Sequence, residues 1–190
     1  MYIDRILAPI ETLGPGNRLV IWVKGCSKHC KGCANPELWS VENCKSYSVE
    51  DVFHIIENVF KENSLDGVTI SGGDPLEQKE EILELLRRLN TLTQDILVYT
   101  GYTMNELDGI LSNEEMQMFQ NNIAVLIDGR YEEQLNHKDV VLRGSSNQQI
   151  IYFKDAYKER YEKYLLEGRK IQNVYMGKRL VSVGIHDRRE

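Results

Sequence analysis

The sequence Gly67-Val68-Thr69-Ile70-Ser71-Gly72-Gly73-Asp74-Pro75 has the pattern of a buried strand that runs directly into a turn and a helix. Its first five residues are small or β-branched, and the glycine pair that follows marks the end of the strand. After Pro75 the apolar residues fall on one helical face, and they are Ile82, Leu83, Leu85, Leu86 and Leu89. The stretch therefore predicts one βα unit.

The same alternation extends along most of the chain. Strands are predicted at 19–23, 96–100, 124–128 and 149–153, and helices are predicted from Ser48 onward and over 105–120. Strands separated by helices of this length indicate a parallel sheet, which right-handed crossovers curl toward a barrel or an open half-barrel. The fold class is therefore α/β, a partial (βα) barrel, with functional groups at the carboxyl ends of its strands.

The C-terminal part has a different pattern. Residues 156–168 are charged and predicted to be helical, and residues 173–183 have the pattern of two strands around the turn Gly177-Lys178. We therefore expect a main domain over residues 1–155 and a C-terminal extension over 156–190, a helix and a β-hairpin packed on the same domain.

Composition and charge restrict the classes of function. The chain has 190 residues, a formal net charge of −6 and four cysteines. The acidic balance argues against a general nucleic-acid surface or an anionic membrane surface. No apolar run is long enough to span a bilayer, and the first residues do not resemble a secretory signal. We expect a cytoplasmic protein, in which clustered cysteines are better explained by metal ligation than by disulfides.

Three cysteines lie within the eight residues Cys26–Cys33, spaced C-x3-C-x2-C directly after an apolar run. One short loop can therefore place three thiolates around one face of a metal centre, whereas a cubane iron–sulfur cluster normally takes four. The fourth iron is then open to a substrate. The alternative is structural zinc with His29 as the fourth ligand, although adjacent His29 and Cys30 cannot easily point at one metal. Cys44 stands alone and is expected to be an ordinary thiol.

The turn Gly72-Gly73-Asp74-Pro75 has two interpretations. In the first it is a tight connection, with Asp74 near a helix N-terminus and Pro75 as the first helical residue. In the second the carboxylate of Asp74, beside backbone carbonyls, holds an ammonium group of a ligand that glycine allows to approach closely.

The cysteine loop and the glycine turn together resemble the radical S-adenosylmethionine (SAM) superfamily. The resemblance implies that Cys26, Cys30 and Cys33 bind three irons of a [4Fe-4S] cluster, while SAM chelates the fourth iron. It also implies cofactor contacts from Gly32, Cys33 and Ala34 and from the turn Gly72, Gly73 and Asp74. The protein then supplies orientation and exclusion of water for chemistry that belongs to the cofactor.

A narrower resemblance is to the anaerobic (class III) ribonucleoside-triphosphate reductase activating proteins. The segments that carry it are Gly14–Arg18, Gly25–Ser27, Cys30–Asn35, Trp39, Ser71–Leu76, Thr100–Tyr102, Asp128–Tyr131 and Leu142–Gln148. The last of these is the most specific. Arg143 within it is expected at the mouth of the site, facing either the SAM carboxylate or a carboxylate of the partner.

This resemblance implies a radical SAM oxidoreductase that generates a glycyl radical on the anaerobic reductase, its protein substrate, with a one-electron donor such as flavodoxin. Two alternatives remain. One is a radical SAM enzyme that acts on another glycyl-radical enzyme or on a small molecule, and the other is a non-catalytic metal-binding module. The chain continues for about 40 residues beyond Gln148, where family members usually end, and we expect this extension to affect partner docking rather than the chemistry.

Overall fold

The computed structural model describes residues 1–186, which form a mixed α/β fold around one central sheet. The sheet has six strands in the spatial order of the chain, namely β1 (Ile3–Ile10), β2 (Arg18–Val23), β3 (Gly67–Gly72), β4 (Ile96–Tyr99), β5 (Val125–Asp128) and β6 (Gln149–Tyr152). Strands β2 to β5 pair in parallel, whereas β1 and β6 are antiparallel to their neighbours. The sheet is therefore mixed, with an antiparallel strand at each edge.

The helices are α1 (Val49–Glu62), α2 (Lys79–Leu89), α3 (Met104–Leu107), α4 (Asn113–Asn122) and α5 (Asp155–Leu166). Helices α1, α2 and α4 cover one face of the sheet, because alternate strand residues such as Ile21, Ile70 and Val98 pack with their apolar stripes in one core cluster. Among the described residues, no helix combines the length and apolarity needed to cross a bilayer.

The opposite face of the sheet is covered by the C-terminal extension. Tyr161 and Tyr164 of α5 pack with Leu97 and Val125. The extension ends in a two-stranded hairpin, β7 (Ile171–Met176) and β8 (Arg179–Gly184), whose inward residues include the buried Val183. Val183 packs with Val20 and Trp22 of β2. The helix and hairpin predicted for the C-terminal part are confirmed, and both contribute to the core.

Most predicted elements are present, with three differences. Strand β1 was not predicted. The segment at 149–153 was expected to extend a parallel sheet, but the connection that precedes it, residues 129–148, contains only the short 3₁₀ turn Glu133–Leu135 and no crossover helix, so β6 pairs antiparallel. The single helix predicted over 105–120 is two helices, because Ser112 forms a capping box with Glu115 and begins α4.

A buried ionic network joins the sheet to α5. The guanidinium of Arg18 is fully buried and donates to both carboxylate oxygens of Asp95, at 3.1 and 3.2 Å. The hydroxyl of Tyr161 donates to Asp95 Oδ1 at 2.7 Å. One buried carboxylate is therefore shared by a strand residue and a helix residue, which fixes α5 against the sheet.

Candidate active site

A cleft of about 300 Å³ opens at the carboxyl ends of the parallel strands. Each of the four strand ends contributes to its lining, and these residues are Cys26, Cys30 and Cys33 after β2, Gly72 to Asp74 after β3, Thr100 and Gly101 after β4, and Gly129 after β5. Gly32 and Ala34 also line it. The convergence of distant motifs that the sequence predicted is confirmed, since parallel strands present their carboxyl ends at one edge.

The cysteine loop is anchored to the segment that follows it. The backbone N–H of Gly25 donates to the carbonyl of Leu38 at 2.8 Å, and that of Cys26 donates to the carbonyl of Trp39 at 3.0 Å. None of the four cysteines is in a disulfide, all are partly exposed, and Cys44 is not among the described residues that line the cleft. Burial raises the pKa of the Cys26 thiol, outweighing the backbone hydrogen bonds that lower it. One loop therefore presents three thiols to one cleft.

The geometry of this loop bears on the choice between zinc and a cluster. Within residues 1–186, no three His, Cys, Asp or Glu side chains form a ready-made site for a single ion. The imidazole of His29 stacks against the indole of Trp39, with ring centroids 4.7 Å apart. A single zinc requires sulfurs roughly 3.8 Å apart, whereas each thiolate of a cubane cluster binds a different iron. Three thiols that line one cleft without forming a site for a single ion fit the donor set of a cluster.

The glycine turn lies directly against the cysteine loop. The N–H of Asp74 donates to the carbonyl of Gly25 at 2.7 Å, and the N–H of Gly73 donates to the carbonyl of Val23 at 2.8 Å. A Cβ at Gly73 would lie 2.3 Å from the Gly25 carbonyl oxygen. The close approach that glycine permits here is between two segments of the chain, which holds the turn and the loop in a fixed relation.

Asp74 is a buried carboxylate at the edge of the cleft, with 1% of its side chain exposed. It accepts hydrogen bonds from the N–H of Leu76 at 3.1 Å, the hydroxyl of Thr100 at 2.9 Å and the N–H of Gly101 at 2.9 Å. Burial raises the pKa of Asp74 more than these donors lower it. The predicted turn is confirmed, since Asp74 caps a 3₁₀ turn that begins at Pro75.

Lys28 is a cleft residue that the sequence analysis did not single out. Its Nζ lies 2.8 Å from Glu77 Oε1 and 3.5 Å from Asp74 Oδ2, and it sits 3.2 Å from the ring centroid of Tyr102. These contacts form a cation–π and ion-pair cluster between the cysteine loop and the residues after β3 and β4. Because the contacts join positions about 50 residues apart, no local spacing pattern indicates them.

Glu77 fastens the cysteine loop to the turn after β3. Its Oε1 accepts hydrogen bonds from the N–H and hydroxyl of Ser27 as well as from Lys28. Burial alone would raise the pKa of Glu77, but the hydrogen bonds from Lys28 and Ser27 outweigh it and lower the pKa from 4.5 to about 2. A carboxylate with a lowered pKa stabilises the fold above its unfolded-state pKa, and this contribution is lost as the pH falls toward 2.

Replacing Glu77 with glutamine is therefore expected to lower the free energy of unfolding at neutral pH by about 1 kcal/mol, after a discount for partial exposure. The difference from the wild type should shrink below pH 4.5 and vanish near pH 2, because protonated glutamate resembles glutamine. Urea unfolding of cluster-free protein across this pH range measures it. Glu62→Gln, at an exposed position, is the control, and an equal effect in both variants would refute the role of Glu77.

The segment from Arg143 to Gln148 folds back on itself beside the cleft. Gly144 and Gln148 line the cleft, whereas Arg143 is not among the described residues that do. Nη1 of Arg143 donates to the carbonyl of Gln148 at 2.8 Å. The side chain of Gln148 accepts from the N–H of Gly144 and donates to the carbonyl of Gly129, both at 2.8 Å. The hydrogen bond from Arg143 therefore stabilises this segment, and the side chain of Gln148 holds the segment against the end of β5.

The extension also reaches the cleft, which the sequence analysis did not predict. Ser182 to His186, at the end of the hairpin, line the same cleft as the three cysteines. The expectation that the extension would affect docking alone therefore does not match its position. A β-hairpin is recognisable in the sequence, but the surface on which it packs is not.

Comparisons with known proteins agree with this geometry. A family model described as a 4Fe-4S single cluster domain matches residues 12–151. The chain is 35% identical over 152 residues to the anaerobic ribonucleoside-triphosphate reductase-activating protein of Vibrio cholerae, an alignment that covers 76% of this chain and 94% of the relative. It is 32% identical over 154 residues to the protein of that name from Enterobacteria phage T4, an alignment that covers 79% of this chain and 93% of the relative. The Haemophilus influenzae protein of that name is 36% identical over 148 residues, with 74% of this chain and 91% of the relative covered.

Proposed function

The chain belongs to the family of anaerobic ribonucleoside-triphosphate reductase-activating proteins, and we propose that it generates a glycyl radical on such a reductase. The observation that carries this proposal is the shared cleft, in which three thiols from one loop face the glycine turn of the next strand. The alignment with the relatives spans nearly their whole length, so the likeness extends to the complete activating protein.

Cys26, Cys30 and Cys33 would hold a [4Fe-4S] cluster in which one iron has no cysteine ligand. Three thiols along one cleft wall, with Cys44 placed elsewhere, support this assignment. When bound, the cluster would supply one electron to SAM, and SAM would supply the radical that removes a hydrogen atom from the α-carbon of a glycine. Glycine suits this reaction because its α-carbon has no side chain, and no acid or base from the protein is required.

The protein's own residues orient and enclose the cofactors. Asp74, with Gly72 and Gly73, would bind the amino group of SAM, and their place in the lining of the cleft beside the three cysteines supports this role. Gly32 and Ala34 would contribute cleft wall near the cluster. Arg143 would act by bracing the segment that ends in Gln148 or by meeting a carboxylate of SAM or of the partner.

We also propose a type of fold, a reductant and a location for the protein. The parallel strands β2 to β5 with antiparallel edges support a partial barrel of the radical SAM type over residues 1–155, with the extension over 156–190 packed on it. The reductant would be a flavodoxin or another one-electron donor, and the clustered thiols favour a cytoplasmic location. Neither nucleic acid nor a membrane is needed for this chemistry.

Asp74→Asn keeps the shape of the side chain but removes its charge, and it is expected to weaken SAM binding by about tenfold, the loss of roughly 1.4 kcal/mol. Anaerobic equilibrium dialysis of cluster-loaded protein gives the dissociation constant. Glu62→Gln is the control for loss of one carboxylate at an exposed position. An unchanged dissociation constant in a correctly folded Asp74→Asn protein would rule out the proposed contact with SAM.

The function itself is tested by electron paramagnetic resonance of the reduced, cluster-loaded protein mixed with SAM and its host's anaerobic reductase. A glycyl-radical doublet that depends on both SAM and this protein is expected. A cluster signal that responds to SAM without a glycyl doublet would reject the reductase as the partner and favour another glycyl-radical enzyme or a small molecule. A colourless protein that contains zinc would reject the radical chemistry.

A further inference from the structure

The segment from Ile171 to His186, here called the C-terminal strap, is fastened to the chain around β1. The side chain of Gln172 donates to the carbonyl of Pro9 and accepts from the N–H of Glu11, both at 2.9 Å. The hydroxyl of Thr12 donates to the carbonyl of Val183 at 3.0 Å. The strap therefore has a defined attachment at one edge of the sheet.

The strap is also fastened near the opposite edge, to the connection that precedes β6. The amide of Asn136 donates to the carbonyl of His186 at 3.0 Å and accepts from Arg169, two residues before β7, at 2.6 Å. Arg169 Nε donates to the carbonyl of Val140 at 2.8 Å. Because β1 and β6 are the two edges of the sheet, the strap spans the open side between them.

The strap covers the interior residues of this open side. Val183 is 3% exposed and packs with Trp22 and Leu13, which themselves line the cleft. Its neighbours from Ser182 to His186 form part of the cleft wall together with the cysteine loop. The family model ends at residue 151, before the strap begins. This wall therefore lies outside the part of the chain that the family model matches.

We propose that the C-terminal strap is a wall of the SAM-binding cleft, so that SAM affinity in this protein depends on residues beyond the part of the chain that the family model matches. The proposal rests on the proposed function, since it assigns SAM to the cleft. Its physical basis is that a small-molecule site binds by burying most of the ligand surface. A cleft open between β1 and the connection before β6 would leave one side of the ligand in water.

The test uses two tryptophan substitutions on the same strand. Ser182 lines the cleft and has an exposed side chain, so Ser182→Trp adds bulk to the wall without changing the core. Leu180 is two residues away, is 56% exposed and is not among the described residues that line the cleft. Leu180→Trp is therefore a matched control. Deletion of the strap is a poorer test, because it would expose the apolar residues beneath Val183.

The measurement is the dissociation constant of SAM for full-length, cluster-loaded protein, by anaerobic equilibrium dialysis. Ser182→Trp should raise it by about fivefold or more, whereas Leu180→Trp should stay within about twofold of the wild type. Iron content and the thermal midpoint confirm that each variant is intact. Equal affinities in the two variants, with a wild type that binds SAM, would overturn the strap proposal alone. A wild type that does not bind SAM would overturn both proposals, and a missing glycyl doublet despite SAM binding would overturn the assigned partner only.

Discussion

Cys30→Ala is expected to lower the rate of SAM cleavage by roughly a thousandfold or more, because the proposed cluster would lose one of its three thiolate ligands. Among the described residues that line the cleft, the thiols are those of Cys26, Cys30 and Cys33. The variant should also contain much less iron and sulfide after anaerobic reconstitution. Formation of 5′-deoxyadenosine in the presence of dithionite measures the first effect, and metal analysis measures the second.

The matched control is Cys44→Ala, which removes a thiol that does not line the cleft. This variant should keep wild-type iron content and cleavage within about twofold. If Cys30→Ala still cleaved SAM at the wild-type rate, the cluster assignment would be wrong. If Cys44→Ala lost its cluster instead, the fourth cysteine would be a ligand. The proposal that one iron has no cysteine ligand would then be wrong.

The parts of the fold that were predictable from the sequence are those set by local pattern. The run before Gly72 and the apolar stripe of α2 have the periods of a strand and a helix, and the structure has both. Strand β1 alternates only weakly between buried and exposed positions, so its periodicity does not distinguish it. The direction of β6 depends on how the chain returns after β5, which is a property of the connection rather than of the strand.

The residues of the candidate site likewise fall into those that local sequence predicts and those that depend on packing between distant segments. The sequence reveals the three cysteines because their spacing lies within one short loop. It reveals the glycine turn because the strand that precedes the turn has a recognisable pattern. The contact of Lys28 with Glu77 and the position of Ser182 in the cleft wall arise from packing between distant segments. Such contacts have no signature in a single sequence, because each residue alone is an ordinary surface type.

The Arg18–Asp95 pair illustrates how strongly a contact of this kind affects stability. Arg18 is completely buried and Asp95 is 1% exposed, so neither charge is solvated by bulk water. The guanidinium also donates to the hydroxyl of Thr69 at 2.7 Å and to the carbonyl of Val68 at 2.7 Å. Two buried opposite charges with satisfied hydrogen bonds roughly balance their desolvation cost, but one left alone does not.

Asp95→Ala is therefore expected to lower the free energy of unfolding by about 3–5 kcal/mol, because it leaves the Arg18 charge buried without a counterion. Tyr161→Phe should cost only about 1 kcal/mol, since it removes one hydrogen bond to Asp95 and keeps the ion pair. Urea unfolding of cluster-free protein measures both values, because a bound cluster would complicate a two-state analysis. Equal losses in the two variants would mean that the hydroxyl of Tyr161, rather than the charge of Asp95, holds α5 on the sheet. A loss much smaller than expected in Asp95→Ala would mean that water reaches Arg18, and the network could then no longer be the anchor of the extension that carries the strap.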